Sequence, residues 1–74
     1  MKFQVMDATG HSEEAFDLGN KVSTEAAMAR FDELTKGKGY FAAALSGDGS
    51  PGKQLKVFDP EAETVVFRPA LQGG

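Results

Sequence analysis

Hydrophobic and polar positions alternate from Lys2 to Asp7, with Phe3 and Val5 pointing one way and Gln4 and Met6 the other, the period of a strand. Ala8-Thr9-Gly10-His11 reads as a turn, with Gly10 placed for a positive φ or a bulge. The alternation resumes from Ser12 to Leu18, with Phe16 and Leu18 inward. The charges of this stretch, Glu13, Glu14 and Asp17, suit an edge strand that must not recruit another chain. After a Gly19-Asn20-Lys21 loop the period changes. Ala27, Phe31 and Leu34 fall at i, i+4 and i+7 with Met28 and Val22 beside them, which predicts an amphipathic helix. Ser23 or Thr24 is the expected cap, and Glu25 then lies in the first turn, where the helix dipole favours an acid. Lys36-Gly37-Lys38-Gly39 stops the helix.

Three more strands follow. Tyr40 to Ser46 is expected to turn Phe41, Ala43 and Leu45 to one face, Gln54 to Asp59 to bury Leu55 and Val57, and Thr64 to Arg68 to bury Val65 and Phe67. Gly47 to Gly52 separates the first two as a flexible connector. It lacks the spacing of a phosphate-binding loop, no helix follows it, and Asp48 would repel phosphate. Pro60-Glu61-Ala62-Glu63 turns the chain, and Pro69 ends the last strand by removing a ladder donor. On this reading the sheet face away from the helix carries Met6, Tyr40, Ala42, Ala44, Phe58 and Val66. That face is apolar enough to be a partner surface.

With 74 residues the chain is one domain with a small core. The absence of cysteine removes disulfides, thiol catalysis and thiolate metal sites. The single histidine, His11, reads as a turn residue, and no carboxylate, serine or histidine constellation suggests an enzyme. No metal or cofactor is expected. A net charge of −3 argues against nucleic acid as a partner. No apolar run approaches the length of a membrane span, and Met1-Lys2-Phe3-Gln4-Val5 does not read as a signal peptide, so a cytoplasmic monomer that avoids membranes is expected.

The chemistry sits at Leu71-Gln72-Gly73-Gly74. A diglycine has no side chains, so it can thread a narrow channel and bring a carboxylate on Gly74 to a reactive centre. Five residues follow Pro69, and extended they reach roughly 15 Å past the sheet.

The order strand, strand, helix, strand, strand, strand, the Phe3/Val5 alternation behind Met1, the Thr9-Gly10 turn and the closing strand before Gly73-Gly74 resemble the ubiquitin-like β-grasp family. The resemblance implies an α+β fold, a ββαβββ mixed sheet with one helix on one face and the last strand beside the first. Residues 1–69 would form the domain, and 70–74 a flexible tail. It further implies a protein modifier: an adenylating enzyme activates the Gly74 carboxylate, Gly73 gives clearance, Leu71 and Gln72 are read by that enzyme, and transfer enzymes pass the chain to a lysine of a protein substrate. Small sulfur carriers that end in Gly-Gly share the pattern and would instead form a thiocarboxylate. A third reading is a non-conjugated interaction module. Ala8 and Arg68 stand where ubiquitin's aliphatic patch lies, and Gln72 stands where ubiquitin is basic. These departures fit a divergent ubiquitin-like protein, bacterial ones included, better than a ubiquitin.

Overall fold

The computed structural model describes residues 1–7, 9–45 and 51–69. Strands β1 (Lys2–Asp7) and β2 (Gly10–Ala15) precede helix α1 (Lys21–Asp32), which runs into a π-helical turn at Glu33–Gly37. Strands β3 (Tyr40–Leu45), β4 (Pro51–Leu55) and β5 (Thr64–Pro69) complete the order. The fold is α+β: one five-stranded sheet in the order β2-β1-β5-β3-β4, with β1 parallel to β5 and the other pairs antiparallel. The first and last strands are therefore neighbours at the sheet's interior, the arrangement that the resemblance implies.

Gly10 closes the first hairpin with φ +132°, a conformation side chains resist. The second strand starts two residues earlier than expected and ends at Ala15, although Phe16 still donates its N–H to the Met1 carbonyl at 2.8 Å and its carbonyl accepts the Met1 amine at 2.9 Å. Phe16 and Leu18 still pack against the core from the connection.

The helix begins earlier than the sequence suggests. Asn20 is the cap: its Oδ1 accepts the N–H groups of Val22 at 2.9 Å and Ser23 at 3.2 Å. The hydroxyls expected to cap are used elsewhere. Ser23 Oγ accepts the Asp17 N–H at 2.8 Å, and Thr24 Oγ1 donates to the Asn20 carbonyl at 2.9 Å. Glu25 consequently lies beyond the first turn. Ala27, Phe31 and Leu34 are buried as expected, but Val22 and Met28 are 75% and 48% exposed, so the core-facing stripe is narrow. At the far end the Lys38 N–H reaches the Glu33 carbonyl at 2.9 Å, five residues back, and Gly39 leaves with φ +71°.

The core lies between α1 and one face of the sheet. Five of the six phenylalanines form a continuous run through it. Phe3 stands 4.9 Å from Phe16 and 4.8 Å from Phe67, Phe67 stands 5.7 Å from Phe31, and Phe31 stands 6.1 Å from Phe58. Fully burying each such ring stabilises the fold by about 1.5–3 kcal/mol, and tilted ring pairs add about 0.5–1.5 kcal/mol.

Two strands correct the sequence reading. In β3 the faces are exchanged: Ala42 is buried, Tyr40 and Ala44 pack against the core, and Phe41 is 54% exposed. Ala42 is the cross-strand partner of Phe67, so the two side chains share a face, and beside the rings of Phe67 and Phe31 that position takes a small residue. In β4 the pairing ends at Leu55, with a register irregularity between Ala43 and Leu45. Leu55 is buried as expected, Val57 is 75% exposed, and Phe58 turns back under the sheet to meet Phe31. The last strand holds, with Val65 and Phe67 buried and Pro69 as its final residue.

Candidate functional site

The sheet face away from α1 is built by the residues that alternate with the core. Gln4 of β1 pairs with Val66 of β5, which pairs with Ala43 of β3, and Arg68 pairs with Phe41. These four side chains of β3 and β5, with Leu45, line a shallow hollow of about 100 Å³. The half-exposed ring of Phe41 and the guanidinium-bearing Arg68 form its rim. Val66, only 8% exposed, lies low between its strand neighbours. Met6 is half-buried on the same side, at the β1–β2 end, across from His11.

Of the six residues expected on this face, Met6 and Val66 are there. Tyr40, Ala42 and Ala44 face the helix because the register of β3 is offset by one, and Phe58 packs beneath the sheet on Phe31. The same slip hid Phe41, Ala43 and Leu45. The signal that finds them is the pairing itself: once Val65 and Phe67 are inward, antiparallel partners of Phe67 must be inward too. Leu71, Gln72, Gly73 and Gly74 lie outside the described residues.

Charged groups elsewhere serve the fold. Asp7 Oδ1 accepts both the hydroxyl of Thr9 at 2.7 Å and its N–H at 2.8 Å, and these bonds, the hydroxyl first, hold the Asp7 carboxyl below its ordinary value. Arg30 donates through Nε and Nη2 to the Glu14 carboxylate at 2.8 to 3.1 Å and also pairs with Glu33. The bonds to Glu14 push the guanidinium above its already high value. Among the described residues no group of three or more His, Asp or Glu side chains is placed to hold a metal ion, and no polar side chain is buried. No described helix is long and apolar enough to cross a membrane. What the face offers chemically is therefore contact: an apolar hollow, a cation at its edge, and the end of β5 beside Tyr40.

No protein-family model, no curated protein and no solved structure matches the chain.

Proposed function

We propose that the chain is a ubiquitin-like protein of β-grasp architecture that modifies other proteins through a carboxylate on Gly74. The observation that carries this reading is the parallel pairing of β1 with β5 inside the sheet, with Lys2 to Val5 opposite Thr64 to Phe67. With one helix over one face, this strand order is consistent with a β-grasp and supports the reading. It also puts Pro69 at the end of an interior strand, paired with Tyr40, which supports a tail presented from the middle of the sheet.

The chemistry follows from the acyl group. A bare carboxylate is a poor acyl donor. Its oxygen attacks the α-phosphate of ATP, pyrophosphate leaves, and the acyl adenylate is reactive. A thiolate of an activating enzyme displaces AMP and forms a thioester, and a lysine amine displaces the thiol and forms an isopeptide bond. This chain supplies no base or nucleophile to those steps. It supplies a slender donor, Gly73-Gly74, preceded by Leu71 and Gln72 as contacts for the enzyme. The hollow around Val66, rimmed by Phe41 and Arg68, is the surface the handling enzymes would grip.

The test is activation by the adenylating enzyme of the native cells. With ATP, the full chain releases pyrophosphate and gains a thiol-labile enzyme adduct, and a chain lacking Gly73 and Gly74 gains none. Equal adducts on both chains overturn the reading, and a thiocarboxylate on Gly74 moves it to a sulfur carrier.

A further inference from the structure

Two larger hollows, about 540 and 510 Å³, flank the segment that leaves β4 and share Lys56, Val57, Phe58 and Pro60 as lining. The second is walled on its other side by helix residues Met28, Asp32 and Lys36. The second is thus a groove between the helix and the segment after β4, it meets the first through those four shared residues, and neither has a lining residue in common with the Val66 hollow. Its apolar surface is unusual for a small chain: Val57 is 75% exposed and Met28 48% exposed, over the half-buried ring of Phe58. Val57 belongs neither to the buried core nor to the partly buried residues packed against it.

The charge around the groove has a sign. Lys36, Lys53 and Lys56 line it with Asp32 and Asp59, so it is positive in a chain whose net charge is −3. Asp32 and Lys36 pair with each other at 3.8 Å, which leaves Lys53 and Lys56 against Asp59. Lys53 and Lys56 are both exposed and line the first hollow, and Lys56 also faces the helix across the second. We propose that this groove docks an acidic peptide segment bearing an apolar anchor, with the anchor between Val57 and Met28 and its flanking carboxylates on Lys53 and Lys56. An apolar floor with a cationic rim selects such a segment over a basic or uncharged one, because like charges at the rim repel and an unpaired rim gives no register. The inference does not rest on the modifier reading, since it uses neither the diglycine nor the Val66 hollow.

The probe is the capped hexapeptide Glu-Glu-Leu-Phe-Glu-Glu, titrated into the isotope-labelled full chain and followed by backbone amide shifts. Its counterpart carries lysine at all four flanking positions. The acidic peptide is expected to shift Met28, Lys36 and residues 53–58, to bind at least tenfold more tightly than its counterpart, and to weaken as salt rises. Val57→Asp abolishes binding. The double variant Lys53→Glu, Lys56→Glu transfers the preference to the lysine peptide, a reversal that loss of folding would not produce. All three positions are exposed, and an unchanged spectrum elsewhere verifies the fold. The proposal is overturned by equal binding of the two peptides, by shifts confined to the Phe41–Val66 face, by no saturable shift at millimolar peptide, or by groove shifts that grow with protein concentration alone, which would seat a second copy there.

Discussion

Arg30 on α1 grips both carboxylate oxygens of Glu14 on β2, through Nε at 3.0 and 3.1 Å and Nη2 at 2.8 Å. Both side chains are about two-thirds buried, so the pair is better screened from solvent than a surface ion pair and locks the helix over the sheet's edge strand. A forked pair of this kind is worth about 1 kcal/mol, the upper end for partly exposed pairs. A double-mutant cycle with Glu14→Gln and Arg30→Lys, read by urea unfolding, should return a coupling of that size. A coupling near zero would mean that the helix is held by its apolar stripe alone.

The faces of β3 give a second prediction. Ala42 is 1% exposed against Phe67, whereas its neighbour Phe41 is 54% exposed on the far side. Ala42→Asp buries an unpaired carboxylate and should cost about 3 kcal/mol or more. Phe41→Asp, beside its cross-strand partner Arg68, should cost no more than about 1 kcal/mol. Thermal unfolding of both variants checks the order, and the reverse order would return the strand to the register its sequence suggests.

Much of this architecture is legible in the sequence, and the misses share a cause. The strands that read correctly are β1, where Phe3 and Val5 alternate with Gln4 and Met6, and β5, where Val65 and Phe67 face inward although Val66 between them is apolar too. In β3 the run Ala42-Ala43-Ala44 carries no such information. The purely apolar large side chains, Phe41 and Leu45, then look like core, although the space there is already filled by rings from β5 and α1. Register set by a partner strand is a tertiary fact that the segment does not contain. The helix start was missed for a similar reason. Asn20, Ser23 and Thr24 are all good caps, and only the fold around Asp17 shows that Ser23 and Thr24 are already committed to other backbone groups. The reading of the diglycine rests on chemistry and not on packing, and Gly73 and Gly74 lie outside the described residues.

The first hairpin carries a pH signature. The Asp7 carboxyl titrates below its ordinary value of about 3.9, because the Thr9 hydroxyl and amide donate to its ionised form. Since the folded value is the lower one, the stabilisation is complete above the ordinary value and is lost as pH falls through the folded value. Thr9→Ala removes the hydroxyl and keeps the N–H, so the Asp7 midpoint should rise toward the ordinary value in a carboxyl-carbon titration by NMR. An unmoved midpoint would assign the shift to another cause.

Conjugation through Gly74 is tested most directly by the peptide it leaves behind. The last basic residue in the sequence is Arg68, and Pro69 follows it, so trypsin cuts there poorly; the basic residue before it is Lys56. A modified lysine should therefore carry a branch running from Val57 to Gly74, or at most efficiency from Pro69 to Gly74, and never the bare Gly-Gly remnant. In digests of cells that express the protein with its native enzymes, the account predicts substrate lysines bearing that long branch, absent when Gly73 and Gly74 are deleted. Digests with no branched lysine, or with a thiocarboxylate on Gly74 in its place, would contradict it.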